Sequence, residues 1–427
     1  MTSVAVIGLG RVGLPLALSF ADRGVEVVGV ERDASVLRSL EAGRMPFQET
    51  GTQELLDRVL ANGGFRATER ADGAAEADHF VLTLGTPALV HLEIDVSQIR
   101  SALDDLLPIL RPDHSLVLRS TVAPGTTEWV AGYLEQRGGF TVGEDLFVSH
   151  VPERIAENHF LEEIASLPTI VGGVGEGSSE RAASLFEVFG TEIVHTTPVQ
   201  AELTKIWTNI LRYAQFALPN LLMMECEQYG ANVFDVVELI NHDYPRGGMK
   251  APGLTAGTCL RKDFAFSEER SRAPGMLLAV SRVHESVPLF LVSGLKERVG
   301  GSLRDRKVAV LGLTFKRDSD DLRDSLSGKL IRLLERELAY VARHDPHVPE
   351  LSEPLDSALA DADAVVIATN HPEFEGLAPL VPAGAVLVDP WNMAGTGQVF
   401  AATAQLAAAE VLSGAPSPEP PEVPGPG

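Results

Sequence analysis

The chain has 427 residues, 45% of them hydrophobic, which is enough for two or three domains with cores of their own. Its formal net charge of −24 disfavours nucleic acid and anionic membranes as main partners, although a few cations in a cleft can still bind small anions. Two cysteines cannot form a disulfide framework, no signal peptide is evident, and no apolar run approaches the ~18 residues of a membrane span. We therefore expect a soluble cytoplasmic protein.

The N-terminal stretch carries a dinucleotide-binding pattern. Val4 to Gly8 is a short apolar run typical of a buried parallel strand, and a helical pattern runs from Leu14 to Ala21. The glycine turn between them lets a pyrophosphate reach the N-terminus of the helix, where free N–H groups favour negative charge. A purely structural loop is the disfavoured alternative. The predicted cofactor-binding residues of this turn are Gly8, Gly10, Arg11, Val12 and Gly13.

The next strand, Val25 to Val30, ends at an acid, Glu31, 23 residues after Gly8. A carboxylate there can accept hydrogen bonds from the adenine ribose and repel a 2′-phosphate. This favours NAD over NADP, although the adjacent Arg32 could instead meet a phosphate.

Two further βα units end in small and hydroxyl residues. His79 to Leu84 leads into Gly85-Thr86-Pro87, and Ser115 to Ser120 leads into the loop that begins at Thr121. The carboxyl ends of parallel strands form the edge where α/β sheets bind ligands, so we expect both loops to line a site.

A predicted strand from Val142 to Ser149 leads into two acids, Glu153 and Glu157, four residues apart. On a helix that spacing would place both on one face, which suits acid/base chemistry or hydroxyl binding. An ordinary solvated helix start fits the pattern equally well.

The alternation of strands and helices stops at Gln200. Ala201 to Tyr229 has helical periodicity and predicts one long helix, with a kink at Pro219. Glu202, Lys205 and Asn209 share one stripe of it. A polar stripe usually faces water, but large apolar residues flank this one, so burial is plausible and the lysine could stabilise an oxyanion.

A small-residue loop, Pro252 to Asp263, contains Cys259 and ends in Lys262-Asp263. A thiol close to a cation can have a lowered pKa and act as a nucleophile. The alternative is a buried small residue in a tight turn. A second helical segment, Phe234 to Asn241, and a basic stretch with Arg246 and Lys250 precede the loop, and a helix reaching Leu289 comes after it.

Lys307 to Gly312 again predicts a strand entering a nucleotide-type turn, but Leu313-Thr-Phe315-Lys316 comes next, without further glycines. We expect a doubly wound domain that holds no second dinucleotide in the same way. The later predicted strands are Ala364 to Ala368 and Ala385 to Val388. The predicted domains are residues 1–197 (dinucleotide-binding, with NAD favoured), 198–298 (helical, dimerising, with the cysteine loop), 299–412 (a second doubly wound domain) and 413–427 (a disordered Pro-rich tail).

Together these stretches resemble the nucleotide-sugar 6-dehydrogenases, the family of UDP-glucose, UDP-N-acetylhexosamine and GDP-mannose dehydrogenases. The resemblance runs from Val4 to about Met393. It implies an α/β protein with an N-terminal Rossmann domain, a central all-helical domain with a long helix, and a C-terminal Rossmann-like UDP-binding domain. Its most specific motif is Pro252-Gly-X-X-X-Gly-X-Cys-X-X-Lys-Asp263. Supporting motifs are Gly85-Thr-Pro87, Ser120-Thr-Val-Ala-Pro-Gly125, Pro152-Glu153, Glu202-X-X-Lys205-X-X-X-Asn209, Gly312-X-X-Phe-Lys316 and Asp321-Leu-Arg323.

The resemblance implies oxidation of a sugar C6 alcohol to a carboxylate by two NAD-dependent steps, through a thiohemiacetal and a thioester on Cys259. It also implies a homodimer or higher homo-oligomer that binds a UDP-sugar and neither nucleic acid nor a membrane. The implied catalytic residues are Cys259, Lys205, Asn209, Asp263, Glu153 and Thr121. Implied cofactor-binding residues include Gly85, Thr86, Pro87, Glu157 and Arg323 besides the glycine turn and Glu31. Implied substrate-binding residues are Arg154, Arg246, Lys250, Gly253, Gly257, Phe315 and Lys316.

Several departures leave the substrate open. Asp389-Pro-Trp391-Asn392 has no arginine where the UDP-glucose branch often places one, Asn220 follows Pro219 in the long helix, and His284 stands where an asparagine is common. Pro152-Glu153-Arg154 favours the N-acetylhexosamine branch over UDP-glucose and GDP-mannose. The rivals are a two-electron 3-hydroxyacid or 6-phosphogluconate type dehydrogenase and a non-catalytic nucleotide-sugar-binding protein.

Overall fold

The computed structural model describes residues 2–85, 96–254, 257, 260, 263–264, 266–267 and 275–402. The chain divides into two compact units. The first comprises Met1–Tyr213 and Thr258–Leu278, and the second comprises Ala214–Gly257 and Ala279–Gly427. One long helix therefore contributes its first half to the first unit and its second half to the other.

The first unit is built on an eight-stranded sheet in the order β3-β2-β1-β4-β5-β6-β7-β8. All neighbouring strands are parallel except the antiparallel pair β6–β7. Chain order reverses beside β1, and that switch point is where open α/β sheets bind ligands. The strands are Ser3–Ile7 (β1), Glu26–Val30 (β2), Phe65–Thr68 (β3), His79–Leu82 (β4), Ser115–Leu118 (β5), Phe147–His150 (β6), Thr169–Gly173 (β7) and Ile193–Thr196 (β8).

Alternate residues of β1 enter the cores on opposite faces of this sheet. Val4 and Val6 belong to one hydrophobic cluster, and Ala5 and Ile7 belong to the other. A strand that is buried on both faces needs a continuous run of apolar residues, and this run is the pattern from which β1 was predicted. The helices of this unit are Gly13–Asp22 (α1), Ala34–Glu41 (α2), Thr52–Ala61 (α3), Ser97–Leu106 (α4), Thr126–Gly138 (α5), Phe160–Glu163 (α6) and Glu176–Phe186 (α7).

The long helix α8 spans Pro198–Tyr229 and continues through Pro219. A second helix, Val233–Asn241 (α9), comes after it and is capped by the Asn232 side chain, which accepts a hydrogen bond from the Phe234 N–H. Both helices were predicted from their periodicity, to within three residues at the start of α8 and one at the start of α9.

The second unit carries a five-stranded sheet in the order β10-β9-β11-β12-β13, parallel except for the pair β12–β13. Val308 and Val310 of β9 enter one core, and Ala309 and Leu311 enter the other. The elements are Met276–Arg298 (α10), Lys307–Leu311 (β9), Leu326–Arg336 (α11), Tyr340–His344 (β10), Leu355–Leu359 (α12), Ala364–Ile367 (β11), Val386–Val388 (β12) and Phe400–Ala402 (β13).

In the part of the chain that the structure describes, α10 alone is long and apolar enough by composition to cross a membrane. No such segment was expected from the sequence. Core helices pass the same test, and Val287, Leu291 and Leu295 of α10 lie in the core of the second unit.

Candidate active site

The glycine turn after β1 is shaped by contact with its own backbone. A Cβ atom at Gly13 would lie 1.9 Å from the Gly8 carbonyl oxygen, so no larger residue fits where α1 begins. A Cβ at Gly10 would meet nothing within 4 Å, which leaves open space over the turn. Val12 is the N-cap residue of α1 and makes no side-chain cap. The Leu14 N–H already donates to the Gly10 carbonyl at 3.0 Å and Pro15 has no N–H, so the N–H groups that a phosphate can meet are those of the glycine turn before Leu14.

Glu31 fixes the edge of this turn. Its Oε2 accepts a hydrogen bond of 2.7 Å from the Leu9 N–H, and its Oε1 accepts one of 2.9 Å from the Asp33 N–H. The carboxylate also lines a cavity of about 1140 Å³ together with Gly8, Gly10 and Gly85. Arg32, the alternative phosphate ligand, is ion-paired with Asp105. This open, backbone-lined cavity fits a dinucleotide, with an acid where a ribose would lie.

Arg11 and Glu157, both predicted at the cofactor, meet each other. The Arg11 Nη1 lies 2.9 Å from the Glu157 Oε1, and its guanidinium stacks over Phe47 at 5.2 Å from the ring centroid. The loop after β6 is thereby tied to the glycine turn. Gly85 lies in the cavity wall, whereas Thr86 and Pro87 lie outside the described residues.

The loop that carries Thr121 is held by helix α8 through a buried acid. Glu202 accepts hydrogen bonds from the Gly125 N–H (2.7 Å), the Thr127 N–H (2.8 Å) and the Thr127 hydroxyl (2.6 Å). Burial raises the pKa of Glu202, and these hydrogen bonds oppose that rise. Since α5 begins at Thr126, the carboxylate also caps the N-terminus of that helix. The same helix that bears Lys205 and Asn209 thus positions the half-buried Thr121.

The expected shared helix face of Glu153 and Glu157 is wrong. Residues 151–156 form no helix, because the acids Glu153 and Glu163 bind the N–H groups of Ile155 and Ala156 (2.7 and 2.6 Å). Glu153 instead turns to Arg119, whose Nε and Nη2 lie 3.1 and 2.7 Å from one carboxylate oxygen. Both side chains are buried, so Glu153 lies in a compensated buried pair.

Lys205 lies half-buried one turn before Asn209 on α8. Burial first, then the charges of Arg119 and Lys205, lower the pKa of His150 to about 3. His150 ends β6, next to the loop that carries Glu153, and it is therefore neutral at physiological pH. Lys205 and a neutral imidazole thus lie near the end of β6, where Glu153 balances the charge of Arg119, so Lys205 is the cation there that can favour a developing anion.

Asn209 and Asp263 form a buried pair. The Asn209 amide donates a hydrogen bond of 2.5 Å to the Asp263 Oδ2, and Asp263 is fully buried. The ring of Tyr213 stacks on Phe264 beside this pair, with centroids 6.1 Å apart. Asp263 closes the motif that contains Cys259, while Cys259 itself lies outside the described residues.

The start of the same motif is held in the second unit. The Gly253 N–H donates to the Asn220 Oδ1 at 2.8 Å, and Asn220 and His284 approach each other at 3.5 Å. A Cβ at Gly253 would lie 2.2 Å from the Trp391 ring, and one at Gly257, where φ is +113°, would lie 2.6 Å from Phe315. Three of the sequence departures, Asn220, His284 and Trp391, therefore lie around the start of this motif.

The remaining predicted ligands differ in their surroundings. Lys316 is half-buried beside Phe315, whereas Arg323 is exposed and bound to Asp321 at 2.6 Å. Arg246 stacks over Tyr244 and Lys250 is exposed. Arg154 donates to the Pro168 carbonyl at 2.6 Å, and burial and the charge of Arg119 lower its pKa.

Several residues of this site were not predicted from the sequence. Arg119 had a signal, because it ends a strand just before the Ser120-Thr121 motif. Glu202 belongs to a motif that was recognised from the sequence, but no role was predicted for this residue. Nothing in the local pattern pointed to His150 or to the contact of Asn220 with Gly253.

Comparisons with known proteins cover nearly all of the described chain. Family models of the UDP-glucose/GDP-mannose dehydrogenase family match in order: the NAD-binding domain at residues 2–190, the central domain at 199–286 and the UDP-binding domain at 309–396. The first match confirms the predicted cofactor, NAD, and the three together confirm the predicted fold class.

Individual relatives agree over the same length. The UDP-N-acetyl-D-mannosamine dehydrogenase of Pyrococcus horikoshii is 31% identical over 380 residues, which is 88% of this chain and 90% of the relative. The solved structure of UDP-D-ManNAc dehydrogenase from that organism has a TM-score of 0.86 at 30% identity and covers 92% of this chain and 96% of its own. A UDP-glucose dehydrogenase structure from Pyrobaculum islandicum has a TM-score of 0.82 at 32% identity, and the match covers 91% of this chain and 94% of that one.

Proposed function

The chain belongs to the UDP-glucose/GDP-mannose dehydrogenase family of NAD-dependent oxidoreductases, and from that premise we propose that it oxidises the C6 alcohol of a UDP-N-acetylhexosamine to a carboxylate. The observation that carries the proposal is the similarity to a relative named for UDP-N-acetyl-D-mannosamine, because it extends over 88% of this chain.

Trp391 supports this choice of sugar. In the UDP-glucose branch an arginine is often found near this position, and here the indole packs on Gly253 and donates from Nε1 to the Ala368 carbonyl at 3.2 Å. A ring held in this way offers an apolar surface, which suits an acetamido methyl group better than a free hydroxyl.

We propose that Cys259 is the nucleophile. Its thiolate adds to the C6 aldehyde formed in the first oxidation, and the thioester formed in the second is hydrolysed by water to the carboxylate and the free thiol. NAD, when bound, accepts the hydride in each oxidation. Asp263 lies four residues after Cys259 and is oriented by Asn209, so it can hold the hydrolytic water; Lys205 can stabilise the oxyanion.

The test is the number of NADH molecules formed per sugar with UDP-N-acetylmannosamine, UDP-N-acetylglucosamine, UDP-glucose and GDP-mannose. We expect two NADH with an N-acetylhexosamine donor and little turnover with the others. A preference for UDP-glucose would contradict the proposed sugar. One NADH per sugar would contradict the thioester.

The cysteine is tested by Cys259→Ser, which should abolish carboxylate formation while leaving NAD affinity unchanged in a fluorescence titration. Cys226, the other cysteine, is buried in α8 and provides the matched control. Cys226→Ala should keep two NADH per sugar. Acid production that survives in Cys259→Ser would rule out this nucleophile.

We further propose a homodimer formed through α8. Leu203, Trp207, Leu211, Leu218 and Leu221 are 37–59% exposed, and their spacing places them on one face of the helix. A Leu211→Glu variant should run as a monomer in size-exclusion chromatography with light scattering. Trp129→Glu, at a residue on α5 that is 41% exposed, is the control and should leave the dimer intact. A dimer that persists in Leu211→Glu would contradict this interface.

The proposed compartment is the cytoplasm, which the small number of cysteines supports.

A further inference from the structure

Four ligand-type side chains of the second unit meet at the carboxyl edge of its sheet, and the proposed reaction uses none of them. They are Asp318 from the loop after β9, His347 from the loop after β10, and His371 and Glu373 from the loop after β11. One nitrogen or carboxylate oxygen from each lies within 4.8 Å of all the others. Three separate loops therefore bring two imidazoles and two carboxylates together.

His371 is oriented as metal-binding histidines usually are. Its Nε2 lies 3.2 Å from the Asp345 Oδ2, and its Nδ1 accepts a hydrogen bond of 3.2 Å from the Asp318 N–H. This pattern assigns the ring proton to Nε2, which leaves Nδ1, now bonded to the Asp318 N–H, as the ring atom that can bind an ion. A carboxylate that binds the second nitrogen of a ligating histidine fixes the ring and strengthens it as a ligand.

The other two ligand groups face each other at the surface. The His347 Nε2 lies 3.4 Å from the Glu373 Oε1, and the rings of His347 and His371 are 4.7 Å apart. The side chain of Glu373 is 48% exposed and that of His347 is 14% exposed, so an ion can enter from solvent. The buried His371 and Asp345 provide the fixed part of the site, and Glu373 provides the adjustable part.

We propose that this cluster binds one divalent transition-metal ion of the Zn²⁺, Co²⁺ or Ni²⁺ type. Two imidazole nitrogens and two carboxylate oxygens suit such ions, whereas Mg²⁺ and Ca²⁺ prefer ligand sets made of oxygen alone. Bonds of about 2.0–2.1 Å require the groups to move closer together than they are now. The Glu373 carboxylate and the Asp318 carboxylate, which now lies 3.1 Å from the Arg317 Nε, would have to turn towards the ion, and the ion would replace the Asp318 N–H at the His371 Nδ1.

The bound ion would clamp three loops to one another. Asp318 lies two residues after Lys316 and three after Phe315, so the clamp would restrain the loop that packs on Gly257. An ion that binds the folded chain and not the unfolded one stabilises it by RT ln(1 + c/Kd), where c is the concentration of free ion, so the unfolding temperature rises with that concentration.

The test is a Co²⁺ titration of the full, tag-free chain, monitored by visible absorption and by the unfolding temperature. We expect one Co²⁺ per chain, displacement by an equimolar amount of Zn²⁺, and no displacement by millimolar Mg²⁺. His347→Ala should weaken Co²⁺ binding at least about tenfold, and the exposed Glu373→Gln should weaken it without disturbing the fold. His242→Ala is the matched control, because His242 is an exposed histidine beside Asp243, and it should bind as the parent does.

Binding at the catalytic cysteine is separated by Cys259→Ser. Thiolate coordination adds an intense near-ultraviolet band, so the proposal requires a spectrum that is unchanged in Cys259→Ser and lost in His347→Ala. Absence of Co²⁺ binding, displacement by Mg²⁺, or equal spectra in the parent and in both His347→Ala and Glu373→Gln would overturn the proposal. None of these outcomes depends on turnover, so they are independent of the proposed sugar.

Discussion

The two sheets begin in the same way, but the segments after their first strands differ. In the first unit, β1 leads into Gly8-Leu-Gly10-Arg-Val-Gly13, and helix α1 begins at Gly13. In the second, β9 leads into Gly312-Leu-Thr-Phe-Lys316, and the next helix, α11, begins only at Leu326. The first turn thus presents backbone and a helix N-terminus, and the second presents side chains.

An acid at the end of the neighbouring strand holds each turn. Glu31 after β2 accepts from the Leu9 N–H at 2.7 Å, and Asp345 after β10 accepts from the Leu313 N–H at 2.6 Å. Glu31 lines an open cavity, whereas Asp345 is buried against His371. The same framework therefore has two forms: the acid faces an open cavity in the first unit, and it is buried and structural in the second, where side chains close the turn.

The largest expected effect comes from blocking the open turn. Gly13→Ala places a Cβ 1.9 Å from the Gly8 carbonyl oxygen, so we expect a loss of about 3 kcal/mol or more in the free energy of unfolding and no NAD binding. Gly10→Ala meets no atom within 4 Å and should keep its stability. Thermal unfolding with and without NAD measures both. Equal stability of the two variants would contradict the packing described for Gly13.

The next largest effect should be a difference between the two acids, Asp345 and Glu31, in what their replacement costs in stability. Burial alone would raise the pKa of Asp345, but hydrogen bonds from His371 and Leu313 lower it to about 2. Asp345→Asn should therefore cost about 2–3 kcal/mol of stability, while Glu31→Gln should cost about 1 kcal/mol or less and mainly weaken NAD binding. Thermal unfolding and an NAD titration distinguish these outcomes. If Glu31→Gln lowers the unfolding temperature more than Asp345→Asn does, the assignment of a structural role to Asp345 and a ligand-facing role to Glu31 is wrong.

Acid should destabilise the first unit before the second. Burial lowers the pKa of His150 to about 3 and of His79 to about 4, so the unfolded chain takes up protons first as the pH falls below the ordinary value of 6.5. Above pH 6.5 the free energy of unfolding is not reduced by these two histidines. At pH 5 each of them should lower the free energy of unfolding by about 2 kcal/mol. The stability that Asp345 contributes to the second unit is complete above its ordinary pKa of 3.8 and is lost only as the pH falls from there towards about 2.

Hydrogen exchange between pH 7 and pH 5 should show this order, with protection lost first in the strands β4 and β6. His150→Gln should flatten the dependence on pH in that window. Simultaneous loss of protection in both sheets would mean that the two units do not differ in this respect.

The smallest expected effect is a gain in stability from replacing a helical glycine by alanine, and it should be of the same size in both units. Gly132 in α5 and Gly328 in α11 are helical glycines, and a Cβ at either would meet nothing closer than 3.5 Å. Replacement by alanine should stabilise each helix by about 0.5–1 kcal/mol. A small rise in the unfolding temperature in both variants would show that helix propensity acts alike in the two units.

The sequence predicted those elements that are determined by residues adjacent in the chain. The apolar run of β1, the glycine turn and the periodicity of α8 each depend on residues adjacent in the chain, and the structure has all three. The sequence pattern predicts one strand from Val142 to Ser149, whereas only Phe147–His150 forms β6, which pairs antiparallel with β7. The strands β7 and β8 were not predicted.

Partners distant in the sequence could not be predicted. Glu153 meets Arg119 across 34 residues, Glu202 meets Gly125 across 77, and Asn209 meets Asp263 across 54. The motif identified the residue types, but which acid is paired and which is exposed depends on packing that sequence spacing does not encode.

The two asparagines of α8 bind the opposite ends of one motif: Asn209 holds Asp263, and Asn220 holds Gly253. They stand eleven residues apart, about three helical turns, and therefore share a face. Gain or loss of a single residue between them would rotate one amide by about 100° relative to the other around the helix axis. As this chain diverges, the face of α8 that bears Asn209 and Asn220 is therefore constrained by the motif, in addition to the apolar face that we propose forms the dimer.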